Sequence, residues 1–168
     1  MSKKVTKIAV ISVTEDSKIY LNYWERGHKP IKNEIKHLCS KLRAAMSLEV
    51  SSDERYLYIG GCSRLNVEKG FPIISVVSFD RKMTEVCSLR LSDDSMKNIF
   101  QMKRIPGSEV LVLSGFNLLS LVEFRESKGK LSELKQLRDL HDGEIFDFVL
   151  KGREIFSVSG RNNYIHKF

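Results

Sequence analysis

Tyr56-Leu-Tyr-Ile-Gly-Gly61, a longer loop, and then Ile73-Ile-Ser-Val-Val-Ser-Phe79 form the stretch on which the fold turns. Two short apolar runs, rich in β-branched and aromatic residues and separated by polar punctuation, predict two paired strands. Gly60 and Gly61 end the first run, where small residues let a neighbouring backbone approach closely. The same shape recurs on both sides. Lys7-Ile-Ala-Val-Ile-Ser-Val13 leads through a turn at Thr14-Glu-Asp-Ser17 to Lys18-Ile-Tyr-Leu-Asn-Tyr-Trp24. Glu109-Val-Leu-Val-Leu-Ser-Gly115 leads to Leu118-Leu-Ser-Leu-Val-Glu-Phe124, and Glu154-Ile-Phe-Ser-Val-Ser-Gly160 to Tyr164-Ile-His-Lys-Phe168. The closing aromatics Trp24, Phe79, Phe124 and Phe168 stand 55, 45 and 44 residues apart.

Two further pieces repeat in step. Glu34, Glu85 and Glu133 are each followed by an aliphatic residue and, three further on, by Leu38, Leu89 and Leu137, at spacings of 51 and 48. Before the first run of each later repeat come Ala45–Ser51, Lys97–Ile105 and Glu144–Leu150, each followed by a polar or Gly-containing turn. One repeat therefore reads as four short strands joined by turns. Four antiparallel strands per 44 to 55 residues is the unit of a β-propeller blade. The expected fold class is all-β, a partial propeller of four-stranded antiparallel blades, with pieces at roughly 5–38, 44–91, 96–140 and 144–168. A helix competes at 30–43, where Ile31, Ile35, Leu38 and Leu42 share one helical face behind Pro30. The repeat favours an outer strand there, as it does at 82–91 and 130–140.

At this level the chain resembles the WD40-repeat family. Ser51-Ser-Asp-Glu-Arg-Tyr-Leu-Tyr-Ile-Gly-Gly61 is similar to the link between that family's first and second strands. His141-Asp-Gly-Glu-Ile-Phe-Asp-Phe148 is similar to its His-containing repeat entry, and Trp24-Glu25 and Phe79-Asp80 stand where it has Trp-Asp. Phe replaces Trp in three repeats, and Arg125 follows one of them. The resemblance implies structural roles for Trp24, Phe79, Phe124, His141 and Phe168. The best partial version of the family's hydrogen-bond network is His141, Ser157 or Ser159, Asn162 and Phe168.

The chain has 168 residues, 42% hydrophobic and 29% charged, enough to bury a core. At about 48 residues per repeat it holds about 3.5 blades, whereas propellers close with about 4 to 8. The chain is thus expected to be a piece of a longer protein, or to be completed by another chain. Two copies would make seven blades. No run approaches the length of a transmembrane helix and no apolar segment follows the charged N-terminus, so neither membrane insertion nor secretion is expected. Cys39, Cys62 and Cys87 are too few and too scattered for a disulfide framework or a zinc site. Free thiols of this kind fit the cytoplasm or nucleus.

No nucleotide-binding glycine loop and no metal-ligand spacing occurs, and the four histidines His28, His37, His141 and His166 are scattered. Gly60-Gly61-Cys62-Ser63 reads as a strand end rather than a nucleophile, and the pairs Glu15-Asp16 and Asp93-Asp94 read as turn caps. No catalytic residue, metal or cofactor is expected, and the chain is read as not being an enzyme. The leading expectation, also implied by the resemblance, is a scaffold that binds other protein subunits through loops. Arg64, Phe71, Arg104 and Arg161 are the candidate contacts, since Arg and aromatic residues are enriched at binding hot spots. The net charge of +7 supplies the alternative. Residues 1–43 carry ten Lys/Arg against four Asp/Glu, and Arg26, Lys29, Lys32, Lys36, Lys41 and Arg43 fall within 18 residues. Such a segment suits nucleic-acid binding or support of RNA processing, for example tRNA modification.

Overall fold

The computed structural model describes residues 7–14, 18–64, 70–138, 141–152, 154–160 and 165–167. The apolar runs form strands that pair antiparallel with their neighbours in sequence, in four meandering sheets. The first holds β1 (Lys7–Val13), β2 (Ile19–Glu25) and β3 (Ile31–Glu34). The second holds β4 (Ala44–Val50), β5 (Tyr56–Cys62), β6 (Pro72–Ser78) and β7 (Glu85–Arg90). The third holds β8 (Gln101–Arg104), β9 (Val110–Ser114), β10 (Leu118–Arg125) and β11 (Lys130–Arg138). The fourth holds β12 (Ile145–Lys151), β13 (Glu154–Ser159) and β14 (Ile165–Lys167). The fold is all-β, a partial propeller built from four-stranded antiparallel blades. Among the described residues the first and last sheets have three strands each.

Packing follows from alternation along the strands. Each sheet has two apolar faces, and each interior lies between neighbouring sheets. Leu21 and Tyr23 of the first sheet meet Leu57, Ile59 and Val77 of the second. Tyr58, Ile74 and Val76, on the other face of the second sheet, meet Leu111, Leu113 and Val122 of the third. Val112 and Leu119 meet Ile145 and Phe148 of the fourth. The first strands of successive blades lie side by side, β4 against β8 and β8 against β12. Two of the closing aromatics act as staples between blades. Phe79 meets Tyr23 edge-on with ring centroids 5.5 Å apart, and Phe124 meets Tyr58 at 6.0 Å. Edge-to-face contact uses the ring quadrupole and needs no indole N–H, so Phe serves at these positions. Trp24 is half-buried on β2, and Phe168 lies outside the described residues.

The glycines at the ends of the second strands are required by close approach. A Cβ on Gly61 would overlap the Ala44 carbonyl, and one on Gly115 would overlap Met96 Cγ and the Asn98 carbonyl.

The outer strand expected over 30–43 is corrected. Only Ile31–Glu34 is extended, and the chain then makes a single helical turn, α1 (Ile35–Leu38). Ile35, Cys39 and Leu42 are fully buried in the core between the first two sheets. A continuing strand would turn Ile35 and Leu38 to opposite faces, whereas one helical turn lets both pack on that core. The helical spacing seen in the sequence was thus real over four residues.

The repeated glutamates tie blades together. Glu85 accepts hydrogen bonds from Ser75 Oγ in its own sheet (3.2 Å) and from the Ser40 N–H in the preceding connection (2.9 Å). Glu133 repeats this with Ser120 Oγ (2.7 Å) and the Ser92 N–H (2.9 Å), and adds Gln136 Nε2 (2.8 Å).

Candidate interaction surface

In a meander, successive turns alternate between the two ends of the sheet. The turns after second strands and the connections between blades therefore gather on one face of the molecule. The turns after first and third strands gather on the other. On the former, Ser63 and Phe71 close the base of the β5–β6 loop: the Ser63 N–H donates to the Phe71 carbonyl, and the Phe71 N–H to Ser63 Oγ, both at 2.9 Å. This double tie pins the base of the loop that carries the exposed Arg64 and the half-buried Phe71. The Arg90 guanidinium lies 3.5 Å from the Phe71 ring centroid, at cation–π distance. Arg90 also grips both carboxylate oxygens of Asp94, at 2.9 and 2.7 Å.

The band continues into the third blade. Asp93 accepts from the Ser95 N–H (2.8 Å) and pairs with Arg138 (3.0 Å). Burial raises the Asp93 pKa, but these hydrogen bonds and the Arg138 charge outweigh it and hold the carboxyl below its ordinary value. Lys97, at φ +56°, centres a tight turn in which the Asn98 N–H reaches the Met96 carbonyl, and its ammonium lies 5.1 Å from the Phe116 ring. His141 is buried beside these loops. Its N–H reaches Asn117 Oδ1 (3.3 Å), and its Nε2 lies 2.8 Å from Ser157 Oγ. Of the two serines considered, 157 is the partner. Asn162 of the same expected network lies outside the described residues, as do Glu15 and Asp16.

Arg64 and Phe71 thus flank the base of one loop, and Arg104 is not with them. Arg104 is half-buried on β8 and donates to the carbonyls of Val50 (3.3 Å) and Ser108 (3.5 Å), tying the third blade to the second. Arg161 lies outside the described residues. Arg90, Asp94 and Arg138 were missed as site residues. Only the four-residue spacing of Arg90 and Asp94 signalled a pair.

The six clustered cations are divided. Arg26 and Lys29 lie in the turn before β3, while Lys36, Lys41 and Arg43 lie along the connection after it. Lys32 sits 3.9 Å from the Tyr20 ring centroid, and Lys36 pairs with Glu34 at 2.9 Å.

The opposite face is held by Arg55, which bridges Asp53 of the second blade and Glu126 of the third, each at 2.5 Å. Burial raises the Asp53 pKa, but hydrogen bonds from Ser51 and Arg55 bring it down to about 2. Among the described residues there is no group of three or more His, Cys, Asp or Glu able to hold a metal ion. None of their helices is long and apolar enough to cross a membrane.

No protein-family model matches the chain, and no curated protein matches it in sequence. Solved structures do match. A candidate 6-phosphogluconolactonase from Bacteroides fragilis NCTC 9343 superposes with a TM-score of 0.64 at 11% identity, over 97% of this chain and 48% of its own. One from Bacteroides uniformis ATCC 8492 gives 0.64 at 10%, over 94% and 48%. The WD40 repeats of RRP9 give 0.61 at 13%, over 96% and 50%. The chain therefore spans about half the length of the structures it matches, and the likeness is one of fold.

The expectation that the chain is not an enzyme is corrected by these matches, since two of them are candidate enzymes of this shape. Loops from distant repeats meet on one face of such a fold, so a reactive constellation need not show as a sequence spacing. The absence of a motif was therefore no ground for excluding catalysis.

Proposed function

We propose that the chain is an interaction scaffold of WD40 type that docks another protein subunit on the face carrying Arg64 and Phe71. The observation that carries this reading is the Ser63–Phe71 double hydrogen bond, which pins the base of a loop carrying the exposed Arg64 and an aromatic ring already backed by Arg90. A pre-positioned ring loses little conformational freedom on binding, and Arg and aromatic residues are enriched at binding hot spots. Rigid blades beneath hold loops from separate repeats in fixed relation, so a partner can read several at once.

A photo-crosslinker placed at position 64, with one at position 82 on the opposite face as control, tests this. The reading expects a subunit captured from position 64 and not from 82. The double change Arg64→Ala with Phe71→Ala should then weaken that subunit's binding at least about tenfold, near 1.4 kcal/mol. Equal capture from both positions, or an affinity unchanged by the double substitution, refutes it.

A further inference from the structure

Met46 stands apart from the other described methionines. It is 49% exposed, whereas Met83, Met96 and Met102 are at most 2% exposed. Strand register explains its position. Along β4, Ala45 lies opposite Gly61 and Ser47 opposite Gly60, so Met46 is the extra residue of a β-bulge. A bulged residue leaves the alternation of its strand, and its side chain is re-aimed. Here the side chain reaches the next blade, where Asn98 donates a hydrogen bond from Nδ2 to the Met46 sulfur. Asn98 is fully buried on the connection before β8. Its Oδ1 accepts from the Ile99 N–H at 2.9 Å, which fixes the oxygen end of the amide, and its backbone carbonyl lies against Gly115. The amide nitrogen carries two N–H donors, and its acceptor among the described residues is a thioether, which accepts only weakly. A buried donor so poorly satisfied forgoes much of what a hydrogen bond contributes. The second and third sheets each have a neighbouring sheet on both faces, so the exposure of Met46 does not come from an uncovered end sheet.

We propose that Met46 is a site of oxidation by hydrogen peroxide, and that the Asn98 side-chain amide holds the resulting sulfoxide oxygen. A sulfur lone pair attacks one peroxide oxygen, and the S–O bond forms as the O–O bond breaks. The departing hydroxide takes the proton from the S–OH so formed and leaves as water. Sulfur gives up two electrons, and the peroxide is reduced by the same two. A sulfoxide ordinarily disrupts a core, because it turns an apolar side chain polar where nothing receives it. Neither condition holds at Met46: half of the residue is in water, and a buried N–H donor is already aimed at its sulfur. The unbranched side chain has the rotatable bonds needed to bring the new oxygen round to Nδ2. Oxidation therefore replaces a weak hydrogen bond across the junction between the second and third blades by a stronger one, and tightens that junction. The modification needs no partner, so it stands whether or not the face carrying Arg64 docks a subunit.

Peroxide treatment of the folded 168-residue chain tests the proposal. Peptide mass spectrometry should find Met46 oxidised at least about tenfold faster than Met83, Met96 and Met102, as its exposure dictates. The chain oxidised at Met46 should melt about 2–4 °C above the untreated chain, the shift that one added hydrogen bond gives at this length. The Asn98 side-chain amide resonances should move downfield, and their exchange with solvent should slow. Met46→Leu removes the sulfur at a half-exposed position, so this variant should fold. Its melting temperature should not rise with peroxide, and it corrects for oxidation at the cysteines. Oxidation of Met46 no faster than that of the three buried methionines overturns the site. An oxidised chain that melts no higher, with the Asn98 resonances unmoved, overturns the hold on the oxygen. An equal rise in Met46→Leu assigns the effect to another residue and overturns the proposal.

Discussion

Replacing Glu133 by Ala should destabilise the fold by about 2–3 kcal/mol, and the reason is legible in three hydrogen bonds to one carboxylate. Ser120 Oγ donates at 2.7 Å, Gln136 Nε2 at 2.8 Å and the Ser92 N–H at 2.9 Å. Hydrogen bonds to a charged group contribute about 1.5–3 kcal/mol net, and a buried donor left without an acceptor costs about 1–3 kcal/mol. Ser92 is exposed and Gln136 half-exposed, so water replaces much of what they lose. Ser120 is fully buried and has no such recourse, so its orphaned hydroxyl sets most of the total. Urea unfolding at neutral pH reads the loss as a lower midpoint at unchanged slope, and thermal unfolding as a drop of about 5–10 °C. A double-mutant cycle with Ser120→Ala should return a coupling of about 1–2 kcal/mol, because neither partner can be orphaned once both are gone. Burial raises the Glu133 pKa, but the Gln136, Ser92 and Ser120 hydrogen bonds outweigh it and hold the carboxyl below its ordinary value. Its contribution is therefore present above that value and fades as pH falls through the lower folded value. The difference between wild type and Glu133→Ala should shrink in the same window. A loss under about 0.5 kcal/mol, or strict additivity with Ser120→Ala, would refute the clamp.

Gly115→Ala should cost at least about 1–3 kcal/mol, because the new methyl meets Met96 and the Asn98 carbonyl; chemical denaturation gives the value, and a neutral outcome would contradict the close approach. Cys39 is fully buried, and burial first, then the Glu85 charge, push its thiol up to about 12 from 9.0 despite a hydrogen bond with Ser75. Because the thiolate is the nucleophile, maleimide at pH 8 should label Cys39 about a thousandfold more slowly in the folded chain than in denaturant, with mass spectrometry locating the adduct. Comparable rates in the two states would show that the site opens readily.

Much of the architecture was legible as pattern. The twin apolar runs found β1 with β2, β5 with β6, β9 with β10 and β13 with β14, because a strand half-buried between sheets leaves a short apolar imprint wherever it recurs. The recurring Glu-aliphatic-Leu piece marked β7 and β11 correctly, although its task as a clamp on the preceding connection could not be read from spacing. The 30–43 segment resisted because four residues are too few for periodicity to separate one helical turn from a strand, and the inward packing of both Ile35 and Leu38 decided it. Of the candidate site, Arg64 and Phe71 were found by loop position and residue type. Arg90, Asp94 and Arg138 were not, since nothing along the chain relates them to Phe71.

Sequence alone determined the all-β class, the four-strand unit and the positions of the closing aromatics, because these arise from alternation and turn chemistry within a few residues. Only the tertiary structure decided which side chains meet: Arg90 over Phe71, Arg104 on the Val50 carbonyl, Ser92 on Glu133, and the exposure of Val10 where Leu57 is buried. Contacts between blades join residues up to some seventy positions apart, and their partners are chosen by how one sheet turns against the next. That angle is a property of the packed interior as a whole, and no local stretch of the chain encodes it.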